Sequence, residues 1–347
     1  MLIRERTEQL ERETLSPFAM LSANSEGREL PEAEDPIRTC YQRDRDRILH
    51  CKSFRRLKHK TQVFIDPSGD HYRTRLTHTL EVSQIARTIA RALRTNEDLT
   101  EAIALGHDVG HTPFGHAGEE ALDVILRSNG NAEGFKHYLQ SVRVLSVLEN
   151  EGNGLNLSRE TVHGIAGHSK GRADIGQRPE STAGTVEAEI VRVADRIAYL
   201  NHDLDDAMRA GWFSRSDIPA EIFELGETQG KRIGRLVGDF VENSVLPSLG
   251  FSKKVEQTID SMKEFLFENL YHDYSKKFPD IDKAKHVVRT LFTALIETPS
   301  LLPAGYTGVQ GVVDYISGMT DRFAIREYEN LFVPKSWDEP DGRIAST

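Results

Sequence analysis

The chain has 347 residues, 38% of them hydrophobic, which is enough to bury one large core or two smaller ones. Its formal net charge of −10 argues against a protein whose main role is to wrap nucleic acid, because that role needs a broad basic surface. No run approaches the ~18 apolar residues of a membrane helix and the opening MLIRERTEQLERE is too charged for a secretory signal, so the expectation is a cytoplasmic protein that does not engage a membrane.

In chain order, residues 22–36 (SANSEGRELPEAEDP) read as a loop. The next stretch breaks the acidic trend: between Arg38 and Lys60, nine lysines and arginines face only Asp44 and Asp46, the composition of a solvated helix face or of an anion-binding surface. Cys40 and Cys51 lie in this stretch; two cysteines are too few for a disulfide framework or a thiolate metal site, and reduced thiols are expected. QVFI at 62–65 is the best short strand candidate, with DPSGD after it as a turn.

From there helical periodicity dominates. Val82, Ile85, Ala86, Ile89, Ala90 and Leu93 recur at three- and four-residue steps, and so do Val142, Leu145 and Leu148. Residues 150–157 and 169–184 read as loops. A long helix is predicted from Val186 to Arg209 on the stripe Ile190, Val193, Ala194, Ile197 and Leu204, with Gly211 as its C-terminal cap. Further helices are predicted at Ile233–Val245, Val255–Leu270, Ala284–Ile296 and Val309–Phe323, and no internal repeat is visible. The fold class is therefore all-α: a compact helical core with a C-terminal helical extension, divided as an N-terminal segment 1–60, a core 61–212 and a C-terminal region 213–347.

The chemistry concentrates in LGHDVGHTPFGHAGE, residues 105–119. Adjacent His107 and Asp108 offer an imidazole nitrogen and a carboxylate oxygen to a divalent cation, and Gly106 and Gly110 permit the bend that would let both ligate. His78 heads an amphipathic helix, and Asp195 sits inside an apolar stripe, where a carboxylate needs a partner. Together His78, His107, Asp108 and Asp195 supply two nitrogens and two carboxylates, which suits a catalytic metal with positions left for water and substrate. Asp195, Tyr199 and Asp203 follow at four-residue steps and so share one helix face.

This H…HD…D pattern resembles the HD superfamily of metal-dependent phosphohydrolases, as a helical bundle with the metal between helices. The likeness narrows further: RTCYQRDRDRILHCKSFRRLKHKTQVF, RTRLTHTLEV, GHDVGHTPFGHAGE, VADRIAYLNHDLDDAMRAG and DYISGMTDRFA are similar to successive motifs of the deoxyguanosine triphosphate triphosphohydrolase family, over residues 38–324. The resemblance implies metal ligands at His78, His107, Asp108 and Asp195, holding one divalent ion (Mn, Mg, Fe, Co or Ni). It implies catalytic roles for His116 and Glu119, a phosphate-side histidine at His111 and a further one at His137. It also implies that Arg75 contacts phosphates, Gln62 lies near the sugar or base, Tyr199 bounds the deoxyribose and Asp203 meets the 3′-hydroxyl. Arg55 and Arg56 are candidate cations for a triphosphate in an otherwise acidic protein.

The implied reaction is hydrolysis of a dNTP at its α-phosphorus to deoxynucleoside and tripolyphosphate. The implied assembly is a homo-oligomer, dimer or hexamer, with a regulatory nucleotide or single-stranded nucleic acid as further partners. Two other readings stay open at this stage: an HD-type nucleotidase or phosphodiesterase, and a nucleotide-sensing or nucleic-acid-binding protein with weak turnover.

Overall fold

The computed structural model describes residues 1–62, 73–168, 184–271 and 279–334. The expected strand at 62–65 and nearly all of the 169–184 loop lie outside the described residues, except Gln62 and Gly184. Among the described residues the architecture is all-α, with three isolated two-residue bridges (Arg28 with Ser158, Thr61 with Thr74, Val245 with Ser248) in place of strands. No helix of this set is long and apolar enough to cross a membrane.

Helices α1 (Ile3–Thr14), α2 (Cys40–His50) and α3 (Lys52–Arg56) precede a central group: α4 (Arg75–Leu93), α5 (Glu97–Gly106), α6 (His116–Ser128), α7 (His137–Arg143), α8 (Arg159–Gly167) and α9 (Val186–Arg209). Local chemistry sets several starts. The Thr185 side chain accepts the Ala188 N–H at 3.1 Å to begin α9, and Asn96 Oδ1 accepts from Asp98 and Leu99 at 3.1 Å to begin α5. Gly211, with φ of +75°, follows the end of α9, where its N–H reaches the Met208 carbonyl. The stripe predicted for α4 is buried throughout except at its last residue: Val82, Ile85, Ala86, Ile89 and Ala90 are each 1% exposed or less.

Helix α9 packs along α4 and α5, and α5 also meets α2 and α8. Their apolar faces form one large core that continues into α10 (Ala220–Leu225), α11 (Gln229–Asn243) and α12 (Lys253–Leu266) through Ile222, Leu236, Phe240, Ile259 and Met262. A second, smaller core joins α6 to α13 (Pro279–Glu297), α14 (Gly308–Ser317) and α15 (Asp321–Phe332), with Phe114, Leu122, Val288, Leu291 and Ile316 at its centre.

Two helix expectations are corrected. Val309–Phe323 is not one helix: it breaks after Ser317, and Thr320 caps a new helix by accepting the Phe323 N–H. The helix predicted to reach Val245 ends at Asn243, and Ser244 turns its hydroxyl back to the Phe240 carbonyl at 2.6 Å.

The basic stretch is largely neutralised within the chain. Arg38 pairs with Asp35 and Asp46 at 2.7 and 2.9 Å, Arg45 with Asp98 at 2.9 Å, and Arg43 and Arg47 with Glu32 at 3.1 and 2.7 Å. Cys40 and Cys51 are free thiols, each pushed up to about 12 by burial, which leaves them inert as nucleophiles.

Candidate active site

The segment after α5 is drawn tight against α7. Gly110 has no room for a side chain, since a Cβ there would stand 2.1 Å from the Ser141 nitrogen. Its N–H donates to Ser141 Oγ at 2.9 Å, and that hydroxyl donates to the His107 carbonyl at 2.6 Å. The turn carrying His107 and Asp108 is thereby fixed to the neighbouring helix. His107 Nδ1 lies 2.7 Å from the Ala104 carbonyl and so carries the proton. Its Nε2 is left buried with no hydrogen-bond partner.

That nitrogen faces the other expected ligands. His107 Nε2 is 3.6 Å from Asp108 Oδ1 and 3.8 Å from Asp195 Oδ1, while His78 Nε2 is 3.1 Å from Asp195 Oδ1 and 3.8 Å from Asp108 Oδ2. Bonds of about 2.0–2.2 Å from one ion place its donors about 3–4 Å apart, so the four residues fit a divalent cation. The orphaned Nε2 is the polar atom such an ion would satisfy. Burial alone would raise both carboxyls, but their neighbours win: Asp108 is held well below its ordinary range by His107 and Arg75, and Asp195 is held at about 2 by His78 and His107. Both are ready as anionic ligands near neutrality.

Arg75 opens α4 only three residues before His78 and is 1% exposed. One guanidinium nitrogen donates to Asp108 Oδ2 at 2.6 Å, while Nε and Nη2 have no acceptor. Next to Nη2 the chain narrows to Gly115, φ +56°, where a Cβ would come within 3.4 Å of Arg75 and 3.1 Å of the Gln62 carbonyl. Gln62 is 8% exposed with its side-chain Oε1 unsatisfied. Arg75 and Gln62 are thus brought together beside the candidate metal ligands with unused polar atoms.

His116 starts α6 with its side chain 64% exposed, whereas buried His111 and half-buried His137 are stacked, ring centroids 4.0 Å apart at 13°. Glu119 links them. It accepts from the His137 backbone N–H at 3.1 Å and from Nδ1 at 2.8 Å, and its other oxygen is 3.5 Å from His116 Nδ1. Against the cost of burial, His137 and His116 hold the Glu119 carboxyl well below its usual range, and Glu119 in turn raises His137. Burial, Arg75 and His137 keep His111 well below the usual imidazole range, and therefore neutral.

On α9, Tyr199 is half-buried and Asp203 is 3% exposed, on the same face as Asp195. Arg55 and Arg56 are placed elsewhere. Arg55 donates to the His50 carbonyl at 2.6 Å and lines a depression with Arg47, Lys52 and Glu149; Arg56 donates to the Gly318 carbonyl at 3.0 Å.

Four residues escaped the sequence reading. His168, in GIAGHSKG at the end of α8, is buried with its ring 5.0 Å from that of His107 and its Nε2 3.3 Å from His137 Nε2. His202 on α9 places Nδ1 3.4 Å from His78 Nδ1, with Glu81 2.6 Å from its Nε2. Lys60 is buried and donates to the His111 and Ser317 carbonyls. Asp321 accepts the Phe114 N–H at 2.9 Å on one oxygen and the Thr61 N–H at 2.9 Å on the other. The only sequence signal was polar residues at the ends of apolar helices, which does not identify a partner 200 residues away.

Comparison with known proteins agrees with this geometry. The HD domain family matches residues 75–200, and the phosphohydrolase-associated domain matches residues 249–330. A deoxyguanosinetriphosphate triphosphohydrolase-like protein of Caldanaerobacter subterraneus subsp. tengcongensis is 49% identical, over 98% of this chain and 98% of its own. Proteins of the same description from Desulfatibacillum aliphaticivorans and Clostridium tetani are 47% and 44% identical, each over 96% of this chain and over 99% and 97% of their own. With an HD domain in which four candidate metal ligands converge and relatives matched almost end to end, the chain is a hydrolase of the deoxyguanosinetriphosphate triphosphohydrolase-like family of HD-domain metal-dependent phosphohydrolases.

Proposed function

We propose that the chain hydrolyses deoxynucleoside triphosphates, dGTP among them, to deoxynucleoside and tripolyphosphate. The observation that carries this reading is Arg75: a buried guanidinium with two donors unspent beside a cation seat calls for a ligand rich in phosphate oxygens. A cyclic or monophosphate ester would leave much of that donor capacity unused.

His78, His107, Asp108 and Asp195 would hold a divalent ion, with Mn, Mg, Fe, Co and Ni as candidates, which would supply Lewis acidity and activate water. The protein groups divide the remaining work. Arg75 orients the phosphate chain, and neutral His111 donates or accepts on its phosphate side. His116, exposed at the mouth with Glu119 behind it, protonates the departing 5′-oxygen, because an alkoxide is a poor leaving group. Tyr199 packs under the deoxyribose and Asp203 receives the 3′-hydroxyl, while Gln62 meets the sugar or base. Arg55 and Arg56 would attract the polyanion from outside the cluster.

The catalytic core in this reading is 61–212, flanked by 1–60 and 213–347, in a cytoplasmic homo-oligomer, dimer or hexamer. A regulatory nucleotide or single-stranded nucleic acid would act away from the metal. Purified protein assayed with each dNTP, dNMP and cyclic dinucleotide, with and without Mn²⁺, tests the proposal. Tripolyphosphate and deoxynucleoside should appear in equal amounts; release of pyrophosphate or orthophosphate, or cleavage of monophosphates alone, would overturn it.

A further inference from the structure

The turn that carries His107, Asp108 and His111 takes its position from α7. Ser141 accepts the Gly110 N–H at 2.9 Å and donates to the His107 carbonyl at 2.6 Å, so the turn is placed only as accurately as α7 itself. That helix is seven residues long, and no side chain caps its start. A helix of two turns has little stability of its own and is located by what it packs against.

Its polar anchor lies on α14. Asp314 there is 3% exposed. Its Oδ1 accepts Gln140 Nε2 at 2.9 Å and Arg143 Nε at 2.8 Å, both from α7, and its Oδ2 accepts Arg143 Nη2 at 2.7 Å. Gln140 Nε2 also reaches Ser317 Oγ at 3.0 Å. The Ser317 carbonyl takes Lys60 Nζ at 2.7 Å, and the same amine donates to the His111 carbonyl. The last turn of α14 therefore grips the histidine turn at both ends: at His107 and Gly110 by way of α7, and at His111 by way of Lys60. On its other side α14 is fixed in the second core by Val312, Val313 and Ile316. A two-pronged guanidinium–carboxylate pair is directional, whereas apolar contact alone would let α7 slide along α14.

We infer that Asp314 is a positioning residue for the cation site. It fixes α7 and, through Ser141, the place from which His107 and Asp108 face His78 and Asp195. The region matched by the phosphohydrolase-associated domain, residues 249–330, thereby sets the metal affinity of the HD core without touching the ion. The inference rests on His107 as a ligand and is independent of which phosphate ester is cleaved.

The test combines metal affinity with a measurement that needs no metal. Full-length protein stripped by chelation is titrated with Mn²⁺ and followed by spin resonance, and hydrogen exchange at the Gly110 amide is measured on the same metal-free samples. Asp314→Ala should weaken Mn²⁺ binding about tenfold, as loss of an outer-sphere contact does. It should also speed exchange at Gly110 more than at Ile89, buried in α4, which reports global opening. Asp314→Asn keeps an oxygen for Gln140 and Arg143 and should stay within about threefold of wild type. Arg143→Met breaks the same tie from α7 and covers a failure of Asp314→Ala to fold. Because the effect passes through Ser141, the double variant Asp314→Ala, Ser141→Ala should bind Mn²⁺ no more weakly than Ser141→Ala alone. Hydrolysis lost by Asp314→Ala at limiting Mn²⁺ should return at saturating Mn²⁺, which a loss of folded protein would not allow. Wild-type affinity and Gly110 exchange in both Asp314→Ala and Arg143→Met, or additive losses in the double variant, would overturn the inference. A His107→Asn variant that binds Mn²⁺ as tightly as wild type would instead remove His107 from the ligand set, a failure told apart by Gly110 exchange, which reports the tie with no metal present.

Discussion

Glu119 holds His137 by two hydrogen bonds, at 3.1 Å from the backbone N–H and 2.8 Å from Nδ1, while standing 3.5 Å from His116. One carboxylate therefore orients two imidazoles, one half-buried and one exposed. His116→Ala should lose ~10²- to 10⁴-fold in kcat with KM nearly unchanged, since proton donation matters when the 5′-oxygen bond breaks. Glu119→Gln keeps an acceptor for His137 and loses only the charge, so about a tenfold to hundredfold loss is expected. Steady-state kinetics on both variants check the order; a larger loss in Glu119→Gln would place Glu119 itself at the reacting atoms.

Asp108 bonds Arg75 and faces His78, His107 and His111. Asp108→Ala should lose bound metal and hydrolysis together, by elemental analysis and product assay of the same preparation. Asp108→Asn, which retains shape and an acceptor for Arg75, serves as the folding control. Full metal occupancy in either variant would take Asp108 out of the ligand set.

Selectivity for deoxyribose should rest on Tyr199, which shares the α9 face with Asp195. Tyr199→Ala opens space for a 2′-hydroxyl and should reduce the ratio of kcat/KM for dGTP over GTP by about tenfold. Equal kcat/KM for the two nucleotides in wild type would end this role.

Asp321 ties the loop before α6 to the stretch after α3, through Phe114 and Thr61. Phe114 sits at φ +62°, a left-handed conformation that needs outside support. Asp321→Asn keeps the acceptor for Phe114 but not the anionic one for Thr61, and should cost about 1–3 kcal/mol in urea unfolding. Activity should fall beyond what unfolding accounts for, because His116 follows that loop directly.

Lys60 is 2% exposed, and burial, with Arg56 and Arg75 nearby, lowers it to about 7. A neutral amine has two N–H groups, and both are used, on the His111 and Ser317 carbonyls. Between pH 7 and about 10.4, the value for a free lysine, the unfolded chain binds a proton that the folded one does not. Stability from this residue is therefore full above that range and declines as pH falls to 7, by at most ~1.4 kcal/mol per pH unit. Lys60→Met should flatten the dependence of the urea midpoint on pH across that window; an unchanged slope would show that Lys60 stays charged when folded.

The sequence by itself determined most of the helices and singled out His78, His107, Asp108 and Asp195 as candidate ligands. Helix stripes are written in three- and four-residue steps, so the buried face of α4 and the extent of α9 could be read locally. His107 and Asp108 are neighbours, and Asp195, Tyr199 and Asp203 lie one turn apart, so their shared chemistry was legible as spacing. Tertiary structure alone decided which groups meet from distant parts of the chain. His168 reaches His137 from a different helix, Lys60 and Asp321 clasp the histidine loop from opposite ends of the sequence, and Glu119 turns to His137 more closely than to His116. Each contact depends on where two helices or loops cross, which packing sets and spacing along the chain does not encode. The same reason broke the predicted helix at Val309–Phe323: its apolar period runs on, but Asp321 is drawn to Thr61 and Phe114, and Thr320 starts a new helix to place it there.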